Sequence, residues 1–281
     1  MHLLQSSGCK NRICARGALL RFLCLLYLPI ASYAASVPLT PTDCALLQER
    51  GVITAANPLP CDRLQRVRFL HWDLKGQKAE GQLLVLDVVA PQVDALFAAL
   101  YQAKFPLYSA LPLEQFAGDD VLSMNANNSS GFNGRAITGA KSWSKHAYGV
   151  AMDINPLQNP YISFADDGGV NVLPAASAKS YLNRNELRPE KTRRAGLVNE
   201  SVVSIFAQHG FMTWGGDWDA PIDYQHFEIG SRRYINELIQ LPLEQARANF
   251  NQYAERYRAC SANEQGSSGE VRARCVAKVR Q

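Results

Sequence analysis

Ser144-Lys-His146-Ala-Tyr-Gly149-Val-Ala-Met-Asp153 is the most informative segment of this chain. Apolar and polar side chains alternate beyond the glycine, which predicts a short strand over Val150–Ile154 with Asp153 on one face. His146 precedes that strand, and seven residues of straight strand would place it roughly 20 Å from Asp153. Gly149 lets the backbone turn at little steric cost. We therefore expect a turn that brings the imidazole and the carboxylate together.

A second histidine lies downstream in Asp223-Tyr-Gln-His226-Phe-Glu228, where a short strand over His226–Ile229 is predicted. Two imidazoles and one carboxylate are a sufficient ligand set for a catalytic zinc ion and leave one coordination position for water. Asp153 supports this interpretation, because a carboxylate on a short apolar strand costs several kcal/mol unless it is paired or metal-bound. Asp223 could supply the general base that such a site needs.

The pattern around these motifs predicts a chain of mixed helices and strands. Two strand-like stretches, Val67–Trp72 and Gly81–Val89, flank a polar turn and suggest a hairpin. Residues 117–140 read as a loop, and residues 156–195 as a long insertion with little periodicity. Helices are predicted to begin at Pro91 and to span Leu197–His209 and Ser231–Tyr257, and a short helix is predicted near Ala176–Leu182. The fold class is therefore predicted to be α+β.

The basic excess of the chain is confined to its N-terminus. The chain holds 29 Lys and Arg against 25 Asp and Glu, and four of the basic residues but no acidic residue lie in the first 34 positions. The balanced remainder gives no reason to expect a nucleic acid or an acidic membrane as partner. The apolar run Phe22–Ile30, followed by Ser32-Tyr-Ala34, predicts a secretory signal over residues 1–34. We expect a secreted or periplasmic protein; an uncleaved N-terminal anchor is the alternative.

Four of the seven cysteines follow this signal, namely Cys44, Cys61, Cys260 and Cys275. An even number is consistent with an oxidising compartment and with disulfide bonds. Three pairings can be drawn, and we favour Cys44–Cys61 and Cys260–Cys275 because each closes a short local loop. Neither pair has the spacing of a zinc-binding motif, so a structural role is predicted for both.

Several motifs together resemble the zinc peptidoglycan peptidases, a family that includes D-alanyl-D-alanine carboxypeptidases and L-alanyl-D-glutamate endopeptidases. They comprise the segment 144–153, Asn155-Pro156 followed by Asn159-Pro160-Tyr161, Trp214-Gly-Gly-Asp217-Trp218, and the segment 223–228. The resemblance extends upstream to the segment from Asn127 to Arg135 and covers about residues 100–230. It implies a hedgehog/DD-peptidase-like α+β fold, a small antiparallel sheet flanked by helices, with disulfide-stapled terminal extensions.

The resemblance also implies roles for matched residues. His146, Asp153 and His226 would bind Zn²⁺, and Asp223 fills the position of the catalytic base, which is glutamate in many relatives. Arg135 matches the arginine expected to bind the scissile carbonyl or the developing oxyanion. A fixed cation aimed at forming negative charge is physically suited to that role. A structural salt bridge is the alternative for Arg135.

Further side chains are expected to surround the metal. We assign Ser144, Trp214 and Trp218 to substrate binding, although both tryptophans could instead pack in the interior, and Ser144 could orient a ligand. Asp217 is expected to cap a turn after Gly215-Gly216, with a catalytic role as the alternative. Glu228 is a candidate for orienting a ligand histidine by hydrogen bonding.

These observations predict a secreted zinc metallopeptidase that hydrolyses D-amino-acid-containing bonds of peptidoglycan stem peptides, as a carboxypeptidase or an endopeptidase. We divide the chain into a signal peptide (1–34), an N-terminal extension (35–63), a zinc peptidase domain (64–257) and a C-terminal tail (258–281). A peptidoglycan peptide is the expected partner, and a monomer is the expected state. Two alternatives are a non-catalytic zinc-stabilised wall-binding module and a metal-free wall-binding or structural protein.

Overall fold

The computed structural model of the protein describes residues 35–137 and 140–280. The expected signal peptide, residues 1–34, lies outside the described residues. Helices and small, mostly antiparallel sheets alternate along the chain, which confirms the predicted α+β class. Among the described residues, no helix combines the length and the apolar character needed to cross a membrane.

The strands form several small sheets rather than the one that we expected. In chain order they are β1 Ala35–Pro38, β2 Leu64–Trp72, β3 Lys78–Leu86, β4 Ser109–Ala110, β5 Asn128–Ser129, β6 Ala151–Asp153, β7 Tyr161–Phe164, β8 Val170–Leu173, β9 Thr213–Trp214, β10 Ile222–Asp223 and β11 His226–Glu228. Three antiparallel sheets have the orders β1-β2-β3, β10-β7-β8 and β6-β11-β9, and β4 pairs with β5 in parallel.

The helices surround these sheets. They are α1 Pro41–Glu49, α2 Ala90–Gln102, α3 Asp120–Asn125, α4 Glu200–Gln208, α5 Arg232–Gln240, α6 Leu243–Asn263 and α7 Ser268–Arg280. Short 3-10 turns occur at Cys61–Arg63, Leu113–Phe116, Lys145–Tyr148, Ala175–Lys179 and Gly215–Asp217.

The predicted hairpin is the largest sheet element and carries much of the core. Strands β2 and β3 pair over nine residues each, and the intervening turn contains Gly76 at φ +78°. Helix α2 packs on this hairpin, where Phe97 stacks on Phe69 with ring centroids 3.7 Å apart. Both rings are buried, and full burial of such a side chain stabilises a fold by about 1.5–3 kcal/mol.

The region from residue 231 onward differs from the predicted single helix. The chain forms α5 and α6, separated at Leu241-Pro242, and α6 continues past Tyr257 to Asn263. Proline at position 242 lacks an N–H group and drives the preceding residue into extended backbone; Leu241 has φ −77° and ψ 150°. The tail, to which we assigned no structure, forms α7.

The two poorly patterned regions also contain regular structure. Residues 117–140 include α3, whose N-terminus is capped by the Asp119 side chain, and β5. The insertion 156–195 contains the antiparallel hairpin of β7 and β8, which we did not predict. The Asp167-Gly168 dipeptide between these strands is the signal that could have revealed it.

Both favoured disulfide bonds are present. Cys44–Cys61 joins α1 to the 3-10 turn that precedes β2, and Cys260–Cys275 joins α6 to α7, with Cα–Cα distances of 5.8 Å and 5.7 Å. The N-terminal extension does not stand apart from the core, because β1 pairs with β2 at the edge of the hairpin sheet.

Candidate metal centre

His146 is presented by the turn that the sequence predicts. Ser144 caps the 3-10 turn Lys145–Tyr148 by accepting a hydrogen bond from the backbone N–H of His146 at 3.3 Å. Gly149 ends this turn in the left-handed region at φ +65°. A Cβ atom at position 149 would lie 2.5 Å from the backbone nitrogen of Leu86, so both the conformation and the available space require glycine.

Asp153 and His226 lie opposite each other on neighbouring strands. Strands β6 and β11 are antiparallel, and their register pairs Asp153 with His226. Side chains of directly opposed residues project on the same side of a sheet, within about 4.5–5.5 Å at Cβ. The pairing of two short strands therefore delivers a carboxylate and an imidazole to the same point.

The three ligand candidates converge. His146 Nε2 lies 3.2 Å from His226 Nδ1 and 3.3 Å from Asp153 Oδ2, and His226 Nδ1 lies 3.0 Å from Asp153 Oδ1. Tetrahedral zinc with ligand bonds of about 2.0–2.1 Å has ligand–ligand edges of roughly 3.3 Å. The observed spacing matches those edges closely, and all three residues are buried.

Hydrogen bonds on the far sides of the imidazoles determine which nitrogen of each ring faces the centre. His146 Nδ1 donates to the carbonyl oxygen of Gly131 at 2.7 Å, and His226 Nε2 donates to Glu228 Oε2 at 3.1 Å. In the neutral tautomers the inward nitrogens therefore carry lone pairs. Two lone pairs and a carboxylate at one point need a cation between them, so the donor set fits Zn²⁺.

Glu228 is itself fixed by a neighbour of His146. Lys145 Nζ donates to Glu228 Oε1 at 2.7 Å and to the carbonyl oxygen of Gly230 at 2.6 Å. The structure thus places Glu228 where the sequence suggested, beside the candidate ligand His226. Lys145 is a supporting residue that we did not single out, although it lies next to His146 in the motif.

The local electrostatics favour positive charge at the centre. Burial opposes ionisation of His226, but hydrogen bonds with Asp153 and Glu228 outweigh it and raise the pKa of His226 to about 10. Burial likewise opposes ionisation of Asp153, yet the charges and hydrogen bonds of His146 and His226 hold its pKa well below the usual range. A bound cation would satisfy the same carboxylates in place of the proton.

Asp223 lies on the short strand β10 beside this centre. Its Oδ1 is buried and has no hydrogen-bond partner among the residues that the structure describes. Burial, and next the charge of Asp153, raise the pKa of Asp223 to about 7. Gly215 packs directly against it, since a Cβ atom there would lie 2.4 Å from the Asp223 carbonyl oxygen. The glycine of the Trp-Gly-Gly motif therefore permits this close approach.

The missed hairpin helps to hold Asp223. Strand β10 pairs with β7 in an antiparallel register that places Asp223 opposite Tyr161. Strand β7 is in turn supported by β8. The insertion 156–195, in which we predicted little regular structure, thus supplies the backbone partner of the candidate base.

Arg135 and Ser144 contact structural partners. Arg135 forms an ion pair with Asp120 at 2.8 Å, which is the structural alternative that we weighed for it. Its backbone carbonyl accepts from the backbone N–H of Ser144 at 3.1 Å. Ser144 is buried and serves as the cap described above. The catalytic role of Arg135 and the substrate-binding role of Ser144 stay predictions.

The two tryptophans are placed differently. Trp214 donates from Nε1 to the carbonyl oxygen of Tyr224 at 2.9 Å, and its ring stacks on Phe227 with centroids 6.4 Å apart, so it packs, half-buried, against the core. The ring of Trp218 lies 5.4 Å from the His226 ring and is half-buried. Trp218 therefore borders the candidate metal centre, and substrate binding by either tryptophan stays a prediction.

Cavity size does not locate this site. A cavity of about 810 Å³ is lined by Trp72, Lys104, Arg193 and Asn199, among others, and none of the three ligand candidates lines it. The convergence of the three ligand atoms is the stronger indication of a functional site, because such a donor set can bind a metal ion.

The geometry is that of a candidate metal centre formed by two histidines and an aspartate, next to the half-buried carboxylate of Asp223. A family model described as D-alanyl-D-alanine carboxypeptidase matches residues 138–229, about a third of the chain. The matched segment contains all three ligand candidates and Asp223, whereas Arg135 precedes it. The match confirms the resemblance to this peptidase family. No curated protein and no solved structure matches the chain.

Proposed function

We propose that the protein is a zinc peptidase that hydrolyses a D-amino-acid-containing peptide bond in peptidoglycan stem peptides. The observation that carries the proposal is the convergence of His146 Nε2, His226 Nδ1 and the Asp153 carboxylate at spacings of 3.0–3.3 Å. The match of residues 138–229 to the carboxypeptidase family supports the substrate class. The bond itself, a terminal D-alanine or an L-alanyl-D-glutamate link, is decided by the experiment below.

The chain provides a base beside the point where a water molecule would react. When bound, zinc lowers the pKa of water and polarises a carbonyl group. Asp223 accepts the proton of the attacking water at its carboxylate and then delivers it to the leaving amine. Its Oδ1 is free for this role, because no described residue hydrogen-bonds to it. A positioned base of this kind contributes about 10²–10⁴-fold to a rate.

Arg135 and Trp218 are proposed to act on the substrate. The Arg135 guanidinium would stabilise the negative charge that develops on the carbonyl oxygen, while its ion pair with Asp120 keeps the side chain in a fixed place. Trp218, beside His226, would form one wall of the cleft. Ser144 acts on the substrate only indirectly in this proposal, by capping the turn of His146.

We extend the proposal to location. The signal-like segment 1–34 and the two disulfide bonds support a secreted or periplasmic enzyme. Such a location would bring the protein to peptidoglycan, its proposed substrate.

The test is digestion of purified muropeptides by the mature protein, with added zinc and with a chelator, read by mass spectrometry. Asp223→Asn removes the proposed base without changing its shape, and we expect it to lower kcat by about 100-fold or more. Asp219→Asn is the matched control, because Asp219 is exposed on the same loop and should leave the rate unchanged.

The products identify the bond. Release of D-alanine alone indicates a carboxypeptidase, and a cut between L-alanine and D-glutamate indicates an endopeptidase. Bound zinc without any zinc-dependent cleavage would reject the proposal and favour the wall-binding module. Equal rates for Asp223→Asn and the wild type would reject the assignment of the base.

A further inference from the structure

Asp217, in the Trp-Gly-Gly-Asp-Trp motif, has a partner far away in the sequence. Its carboxylate accepts two hydrogen bonds from Arg272 on α7, Nη1 to Oδ2 at 2.7 Å and Nη2 to Oδ1 at 3.0 Å. This parallel, charge-assisted geometry is the strongest form of an Arg–carboxylate contact. Asp217 is therefore an anchor point rather than the turn cap that we expected.

Arg272 is held on its other side as well. Its Nε donates to Glu200 Oε1 at 2.7 Å, which ties α7 to the first turn of α4. The Arg272 side chain is only 9% exposed, and Arg272 lies one helical turn before Cys275, which the disulfide bond with Cys260 fixes to α6. The disulfide bond thus fixes the part of α7 from which Arg272 reaches Asp217.

The turn that Asp217 belongs to touches the metal centre at both ends. Gly215, at its start, lies so close to Asp223 that a Cβ atom would come within 2.8 Å of the Asp223 Cβ. Trp218, immediately after the turn, lies 5.4 Å from the His226 ring. A shift of this turn would move the surroundings of both Asp223 and His226.

We propose that Arg272 is a positioning residue that acts through Asp217 to hold the Gly215–Trp218 turn against Asp223 and His226. Helix α7 lies outside the segment 138–229 that matches the peptidase family. The C-terminal tail then contributes to the site by holding this turn in place. The proposal rests on the proposed peptidase activity for its kinetic readout alone.

The test compares Arg272→Gln and Asp217→Asn with Arg274→Gln in the full-length mature protein. Arg274 lies on the same helix but pairs with Glu264 at the surface, so it controls for the loss of a cation from α7. The first readout is amide hydrogen exchange over residues 213–226, which needs no substrate. We expect exchange there to become at least about tenfold faster in Arg272→Gln and Asp217→Asn, and to stay unchanged in Arg274→Gln.

The second readout is muropeptide hydrolysis. In Arg272→Gln and Asp217→Asn, displacement of Asp223 and Trp218 should lower kcat by about tenfold to a hundredfold, with KM changed much less. Glu200→Gln separates positioning from stability, because it removes the contact with α4 and leaves the Asp217 pair. We expect Glu200→Gln to lower the thermal midpoint but to keep kcat near the wild-type value.

Two results would overturn the proposal. One is normal exchange over 213–226 in a folded Arg272→Gln protein. The other is a loss of kcat in Glu200→Gln as large as in Asp217→Asn, which would mean a general loss of stability. If Arg272→Gln does not fold, Asp217→Asn decides the matter, because the Asp217 side chain is 44% exposed and tolerates the change better. Faster exchange over 213–226 in Arg272→Gln than in a wild type that shows no activity would reject the peptidase but support the positioning role.

Discussion

Glu228→Gln should weaken zinc binding without unfolding the protein. Glu228 accepts from His226 Nε2 at 3.1 Å and from Lys145 Nζ at 2.7 Å, so one carboxylate orients a ligand and neutralises a buried ammonium group. The glutamine side chain keeps the shape but offers one carbonyl oxygen and no charge. Loss of such an outer hydrogen-bond partner costs about 10–100-fold in metal affinity, or about 1.4–2.7 kcal/mol.

The assay for Glu228→Gln is competition for zinc against a chelator of known affinity, with circular dichroism to confirm folding. Glu237→Gln is the matched control, because Glu237 lines the same cavity as Glu228 but is exposed and, among the described residues, forms an ion pair with Arg233 alone. We expect the control to bind zinc as the wild type does. A folded Glu228→Gln protein with a zinc Kd within twofold of the wild type would refute the argument that Glu228 fixes the tautomer of His226.

Three further outcomes are expected. Gly215→Ala should lower kcat by about 100-fold at unchanged zinc content, measured with muropeptides, because its Cβ atom would lie 2.4 Å from the Asp223 carbonyl oxygen and force the base to move. Removal of the metal by a chelator should lower the thermal midpoint, and zinc but not calcium should restore it; stabilisation by a ligand at 100 times its Kd is about 2.7 kcal/mol. Replacement of both Cys44 and Cys61 by serine should cost about 3 kcal/mol in chemical denaturation, because their bond closes a loop with a sequence separation of 17.

The ligand set could be predicted from the sequence because each part of it has a local signature. His146 and Asp153 are joined by a glycine turn and a short alternating strand, and His226 lies on a second strand of the same kind. The chemistry of these residue types then restricts the site to few functions. The hairpin β2–β3 and the apolar face of α2 were predictable for the same reason, since both patterns are local.

The supports of the site could not be predicted in this way. The hydrogen bond from His146 ends on the backbone carbonyl of Gly131, and a carbonyl group has no signature in the sequence. Arg272 reaches Asp217 across a separation of 55 residues, which no local pattern encodes. Pro242 and the Asp167-Gly168 dipeptide, by contrast, were visible signals in the sequence that we missed.

The hairpin β2–β3 forms part of the core and also helps to fix the register of β6, the strand that carries Asp153. Strands β6 and β11 have three residues each, and a slip of one residue would turn Asp153 to the opposite face of the sheet. Two contacts prevent such a slip at opposite ends of β6. At one end the Leu86 N–H donates to the carbonyl oxygen of Gly149 at 2.9 Å, and at the other Asp153 exchanges two 2.9 Å backbone hydrogen bonds with Ser130. Because the register of so short a strand has little support of its own, the position of the Asp153 carboxylate is set by β3 and by the segment before His146.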